Sequence, residues 1–242
     1  MLIAIATYPG FTALDAIGPY QVFAHLPGAE VVVCAANRGE LDDDHGALHL
    51  RIDQTFDEID TPDVLVVAGG LSTRQLVRDG HPIIDWIRAV HPHTSYTTSV
   101  CTGALLLGAA GILDGTRATT HWTAHDRLRE FGAHPVAERV VHDGKIVTAA
   151  GVSAGIDLAL TLVAQIAGPD IARAIQLGIE YDPHPPFDSG TPATAPADIV
   201  DIVRAVTADA EQRFLDDADT SMSHTADTST HLHDSRSTSC AN

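Results

Sequence analysis

The chain has 242 residues, 45% hydrophobic and 19% charged, enough apolar content for one large domain with a substantial core. Its formal charge of −18, from 14 basic against 32 acidic side chains, would repel a phosphate backbone and argues against a nucleic-acid partner. No apolar run approaches the roughly 18–20 residues that span a bilayer. The opening MLIAIATYPG lacks a basic leader region, so a cytoplasmic protein with no membrane partner is expected.

Short apolar runs bounded by turn residues alternate with helical patterns, which points to a mostly parallel sheet covered on both faces. LIAIATY (2–8) is a β-rich run closed by Pro9-Gly10, and Leu14, Ile17, Val22 and Leu26 then recur at helical spacing. EVVVCAA (30–36) is a buried strand, and the alternation in ALHLRID within 41–56 suggests a hairpin on the sheet edge. DVLVVAGG (63–70) is a continuous apolar run closed by two glycines, the pattern of a central parallel strand. A helix from Arg74 to Val90, broken at Gly80-His81-Pro82, leads to the strand TSYTTSV (94–100), and a helix over 101–113 begins at once after it.

In ERVVHDGKIVTAAG (138–151) two apolar runs flank Asp143-Gly144, a strong hairpin signal. An Ala/Leu-rich helix over 153–168, a further helix over 169–180, a Pro-rich loop over 182–196 and an amphipathic helix from Ala197 to about Leu215 follow. Residues 1–214 therefore read as a single α/β domain. Residues 215–242 carry five aspartates against one arginine and few apolar side chains, which predicts a disordered polar acidic tail.

Three cysteines, Cys34, Cys101 and Cys240, are too few and too scattered for a disulfide framework. Cys34 sits in an apolar run as a small hydrophobe, and Cys240 lies in the polar tail. Cys101 falls at the carboxyl end of a strand, where open α/β sheets bind ligands, and at the start of a helix whose free N–H groups favour a thiolate. Gly103 allows a sharp turn there, as in a nucleophile elbow. Position alone is equally compatible with a nucleophile and with an inert buried thiol.

Two other strand ends point at the same place. Gly69-Gly70 would let backbone N–H groups approach a ligand closely, or form an ordinary βα turn. Asp15 stands between apolar neighbours, where burying a carboxyl costs several kcal/mol unless it is hydrogen-bonded. It is either a first-turn helix residue or a proton-exchanging partner of the cysteine.

The segments SVCTGALLLGAAGILDGTRATTHW (99–122), ERVVHDGKIVTAAGVSAGIDLAL (138–160), GIEYDPHPPFDSGTPATAP (178–196) and LDAIGPYQVF (14–23) resemble the isonitrile hydratases of the ThiJ/PfpI superfamily. The resemblance covers roughly residues 1–214. It implies a flavodoxin-like doubly wound fold of the class I glutamine amidotransferase type, a homodimer with helix surfaces near the site buried between subunits, and hydration of an isonitrile to a formamide with no metal or organic cofactor. On this reading Cys101 attacks the isonitrile carbon, Asp15 supplies its proton and activates water, and Thr102 with Gly70 and Leu71 positions substrate and developing charge. Val152 and Ser153, where the family favours isoleucine and threonine, would lie close to the cysteine.

Other readings carry less. His121 and His125 are four apart, but no glutamate follows His121 as a zincin helix requires. His91 and His93 flank Pro92 in a turn and are expected to be solvated, and the tail histidines His224, His231 and His233 suggest adventitious contacts only. Thr102 follows the cysteine where PfpI-type peptidases and amidotransferases carry histidine, which argues against their chemistry. A non-catalytic sensor or regulatory module, or a redox or carbonyl-stress protein of the same superfamily, remains the alternative.

Overall fold

A computed structural model describes residues 1–230. The chain begins β1 (Leu2–Ala6), α1 (Ala13–Phe23), β2 (Glu30–Ala35), β3 (Gly39–Asp42), β4 (His49–Ile52), β5 (Gln54–Thr55), β6 (Val64–Val67), α2 (Thr73–Asp79), α3 (Pro82–Val90), β7 (Tyr96–Val100) and α4 (Gly103–Ala109). It continues β8 (Arg117–Ala118), a 3-10 segment (Trp122–Phe131), β9 (His134–Pro135), β10 (Val140–Asp143), β11 (Ile146–Ala149), α5 (Ala154–Ala167), α6 (Pro169–Gly178) and α7 (Ala197–Thr230).

The main sheet has seven strands in the order β10-β11-β7-β6-β1-β2-β5. All neighbours run parallel except β10, which returns antiparallel on β11 through the Asp143-Gly144 turn. From the central β1 the chain first winds outward through α1 to β2, then comes back to β6 and winds the other way to β7. Right-handed crossovers in opposite directions place α1, with α5 packed against it, on one face and α2, α3 and α4 on the other. The point where the winding reverses lies between β1 and β6. In such sheets ligands bind there, outside the carboxyl ends of the strands.

The apolar runs of β1 and β6 are buried from end to end, apart from a partly exposed Leu2. β7 is different, with Thr97, Thr98 and Ser99 wholly buried. Burial of hydroxyls in a central strand is costly unless they are hydrogen-bonded, and two of the three are; the Ser99 hydroxyl has no protein partner among the described residues. Thr98 donates to the Leu65 carbonyl at 2.9 Å, and Thr97 meets the Thr94 hydroxyl at 2.7 Å and His91 Nδ1 at 2.8 Å. His91 is therefore half-buried and tied to β7, whereas a turn histidine was expected in solvent.

Three other expectations shift. The hairpin in 41–56 forms, but β3 and β4 make a separate two-stranded sheet, and only β5 joins the main sheet edge. Most of the hairpin's side chains are exposed and give it little to bury against the sheet. The helix after Cys101 starts at Gly103 and ends at Ala109, bounded by left-handed backbone at Cys101 and Gly111. The last helix runs to Thr230, through residues assigned to a disordered tail, because neither Gly nor Pro interrupts 197–230 and each added residue gains one backbone bond. The rest of the expected tail, including His231, His233 and Cys240, lies outside the described residues.

Gly103 shows how tightly α4 sits on the sheet: a Cβ there would lie 2.3 Å from the Val67 carbonyl oxygen. Gly103→Ala should lower the unfolding free energy by about 1–3 kcal/mol, the range for overpacking a core. Urea denaturation checks this, and an unchanged midpoint would contradict the packing described.

Candidate active site

Three segments meet at the switch point. The first turn of α1 brings in Asp15, the turn after β6 brings Gly69 and Gly70, and the β7–α4 turn brings Cys101 and Thr102. The turn after β11 adds Val152 from the other side. Cys101 has φ of 56°, a conformation that costs a side chain of this kind about 1–3 kcal/mol. Its backbone is held there from both ends. Its N–H donates to the Ala150 carbonyl at 2.9 Å, and its carbonyl accepts from the Thr120 hydroxyl at 2.7 Å. The strained turn directs the sulfur back toward Asp15 and the β6 turn.

Asp15 is wholly buried. Its Oδ2 accepts from the Gly69 N–H at 3.0 Å, its carboxyl stands beside the Cys101 side chain, and its Oδ1 has no protein partner. Gly69 makes this approach possible, since a Cβ would stand 2.6 Å from the Thr102 nitrogen and 2.8 Å from both Asp15 Oδ2 and Cys101 Cβ. Burial pushes the Asp15 carboxyl from its ordinary 3.8 up to about 7, against the opposing hydrogen bonds from Gly69 and Cys101, with the Asp44 carboxylate adding to the rise.

Burial also holds the Cys101 thiol well above its ordinary value, and the Asp15 charge adds to this. The N–H groups of Val152 and Thr102 pull the other way by hydrogen-bonding to sulfur, without prevailing. The helix start expected to favour a thiolate is thus outweighed, and the resting residue is a thiol beside a carboxyl that titrates near neutrality.

The other expected site residues divide. Thr102 offers its N–H to the sulfur, but its hydroxyl accepts from the Gly70 N–H at 2.9 Å and meets the Thr73 hydroxyl at 2.9 Å. The Gly70 N–H is therefore occupied, and Gly70 is itself bridged to Phe11 of the β1–α1 segment. Val152 sits beside the sulfur in a strained backbone conformation, φ 23°. The Ser153 hydroxyl accepts from Arg139 at 3.3 Å, within a cluster in which Asp157 also accepts from Tyr181, so its polar group is directed to that cluster.

Sequence reasoning did not place three further contributors at the site, although it weighed His121 as a metal ligand. Tyr8 donates to the Ala68 carbonyl at 2.8 Å and meets Thr73 at 3.0 Å, which extends the hydroxyl chain behind Thr102. Thr120 anchors the Cys101 carbonyl. His121 packs on the turn before Val152, where a Cβ on Gly151 would lie 2.6 Å from its ring. Burial pushes its pKa below the ordinary value. Among the described residues no three His, Cys, Asp or Glu side chains converge as a metal site would require. Nor, among them, is any helix long and apolar enough to cross a membrane.

The family description DJ-1/PfpI matches residues 1–165. The chain belongs to this family. It is 45% identical over 202 residues to an isonitrile hydratase of Pseudomonas putida, covering 84% of this chain and 88% of that one. The crystal structure of a ThiJ/PfpI family protein from Pseudomonas syringae superposes with a TM-score of 0.83 at 37% identity, covering 88% of each chain. An HTH-type transcriptional regulator of Pseudomonas aeruginosa is 31% identical over 172 residues, 68% of this chain and 50% of its own length. The flavodoxin-like α/β fold expected from the sequence is the fold of this family.

The carboxyl in this site makes stability depend on pH. The folded state holds the Asp15 proton more tightly than the unfolded chain does, so stability is given up as pH rises from 3.8 to about 7. Asp15→Asn cannot ionise and should remove that loss, roughly 1–4 kcal/mol, so wild type and variant diverge across this window. Chemical denaturation at pH 4.5 and 8 measures the difference. Parallel profiles would contradict a buried, titrating Asp15.

Proposed function

We propose that the protein is an isonitrile hydratase, a cofactor-independent hydro-lyase that converts R–N≡C and water to R–NH–CHO. The observation that carries this reading is the burial of Cys101 and Asp15 side by side across Gly69, with one carboxyl oxygen unpartnered. Isonitrile hydration needs a nucleophile for the terminal carbon and a proton for that same carbon. The two groups are neighbours in one buried site.

As the sulfur bonds to the isonitrile carbon, the thiol proton passes to the Asp15 carboxylate and from there to that carbon, giving a thioimidate, Cys101–S–CH=N–R. Asp15, again a carboxylate, takes a proton from water as the oxygen attacks the same carbon. The nitrogen receives that proton; as the carbon–sulfur bond breaks, the remaining hydroxyl proton passes through Asp15 to the departing sulfur, which restores the thiol, and the N-substituted formamide leaves. The Val152 and Thr102 N–H groups stabilise the sulfur whenever it carries charge. A carboxyl titrating near 7 is suited to both directions of transfer. Splitting the addition into two covalent steps is the usual gain from such a nucleophile.

Thr102, Leu71 and Val152 line this space in our reading. Ser153 acts at its rim through Arg139. A cytoplasmic homodimer belongs to the same proposal. It is supported by Leu14 and Tyr20, 40% and 42% exposed on the helix that carries Asp15, a surface a second copy would cover. The sensor alternative draws on the regulator's similarity. This chain spans only half of that regulator's own length, against 88% of the hydratase's.

Purified protein should convert an alkyl or aryl isonitrile to its formamide, followed by loss of the isonitrile infrared band. Cys101→Ala should abolish turnover, and Asp15→Asn should lower kcat by about 10²–10⁴-fold, the usual share of positioned acid–base catalysis. No turnover across several isonitriles by a folded protein would overturn the proposal, and a wild-type rate in Asp15→Asn would remove Asp15 from it.

A further inference from the structure

The turn of the β3–β4 hairpin has no part in the chemistry above, yet it docks on the segment that leads into the site. The Gly10 N–H donates to the Asp42 carbonyl at 3.1 Å, the Asp44 N–H donates to the Phe11 carbonyl at 2.9 Å, and Phe11 is bridged to Asp43. Three successive carboxyls stand here, each held differently. Asp42 faces outward and pairs with His49, and Asp43 closes the turn by accepting from the Ala47 and Leu48 N–H groups. Asp44 turns inward. Its side chain is only 6% exposed, and its Oδ2 accepts from the Thr12 hydroxyl at 2.6 Å.

Thr12 is the residue on which α1 starts, and Asp15 stands three positions on. A threonine and an acid at this spacing ordinarily cap their own helix. The hydroxyl accepts from an N–H of the first turn, and the acid reaches back to the threonine N–H. Here both are diverted. The Thr12 hydroxyl makes no cap hydrogen bond and donates to Asp44 instead. The Thr12 N–H donates to the Gly69 carbonyl at 2.9 Å, and Asp15 accepts from the Gly69 N–H. Thr12 thus ties three segments together, with Asp44 at one end and the buried Asp15 at the other.

Two carboxyls held this way do not ionise with equal ease. Asp44 lies nearer the surface and receives the Thr12 hydroxyl, whereas Asp15 is wholly buried. Asp44 therefore ionises first, and its charge opposes a charge on Asp15. The rise of the Asp15 carboxyl to about 7, caused first by burial and then in part by Asp44, has this direction. Tyr8 and Cys101 face the pair from the ends of β1 and β7, both kept protonated by burial. Asp43 adjoins Asp44, and His45 Nε2 lies 3.8 Å from Asp44 Oδ1, an exposed group that carries charge only when protonated.

We infer that Asp44 is a positioning residue for the reaction: held by Thr12 beside the Cys101–Asp15 pair, its carboxylate makes Asp15 a stronger base toward the thiol proton. The inference rests on the hydratase reading for the step it serves and adds a third acid to that step.

The test removes the charge and keeps the hydrogen bond. In Asp44→Asn the amide oxygen still accepts from Thr12, and Asp44→Ser is a second neutral replacement with an acceptor oxygen. The infrared band of the protonated Asp15 carboxyl, identified as the band that Asp15→Asn lacks, is titrated in the full chain without substrate. Its midpoint should fall by about half a pH unit or more in either variant. The acid limb of kcat/KM for an isonitrile should move with it. The variants should outpace wild type by about 1.5-fold or more at about pH 5.5 and fall below it at about pH 8, because a weaker base is ionised earlier but takes the proton less well. A turn that had merely loosened would lose rate at both. An unmoved midpoint, or an equal loss of rate at every pH, would overturn the role of Asp44 and leave the hydratase reading intact. A wild-type protein that hydrates no isonitrile would overturn the hydratase reading, while a lowered infrared midpoint would still support the hold of Asp44 on Asp15.

Discussion

The site is organised around one juxtaposition, that of the Cys101 thiol and the Asp15 carboxyl, both removed from water. In such a setting neither group ionises readily, and a charge on either raises the proton affinity of the other. The pair therefore takes up its second proton near neutrality, where a free carboxyl would do so only near 3.8. Much of the local backbone serves to keep these two atoms together. Cys101 adopts a strained left-handed conformation, Gly69 lacks the side chain that would separate the partners, and its N–H steadies the carboxyl.

A cysteine at a helix start is commonly read as a pre-formed thiolate. Here α4 is short, and burial with the neighbouring carboxyl prevails over the two N–H groups aimed at the sulfur. The nucleophile is accordingly generated during attack, by transfer to Asp15. That order suits a substrate whose carbon needs both an electron pair and a proton. The hydroxyl chain from Tyr8 through Thr73 to Thr102 lies behind the turn and fixes the β6 loop against it, so rigidity and chemistry come from different faces of the same residues.

Much of this architecture was legible in the sequence because strand-end signals are local. A continuous apolar run closed by Gly69-Gly70 and a β-rich run closed by Cys101-Thr102-Gly103 identify parallel strands and their ligand-facing ends, and Asp143-Gly144 identifies the antiparallel return in the main sheet. Asp15 stood out because a carboxyl among apolar neighbours demands a partner. What stayed hidden depends on contacts between distant segments. The occupation of the Gly70 N–H by Thr102, the anchoring by Thr120 and the packing of His121 on Gly151 have no signature in spacing. His91 looked like a solvated turn residue for the same reason, since its partner Thr97 belongs to a strand whose buried hydroxyls an apolar-run criterion cannot explain. The course of α7 depends on Trp122, Arg74 and the Gly10 turn, three sites far from it in sequence.

The central claim is that the Cys101 sulfur and the Asp15 proton add to one carbon. Brief exposure of the protein to an isonitrile, followed by acid quench and peptide mass spectrometry, measures this directly. The account predicts a mass increase equal to the whole isonitrile, located on the Cys101 peptide, with deuterium retained at the new C–H when the reaction is run in heavy water. Turnover to formamide with Cys101 unmodified throughout, or an adduct confined to Cys34, would contradict it.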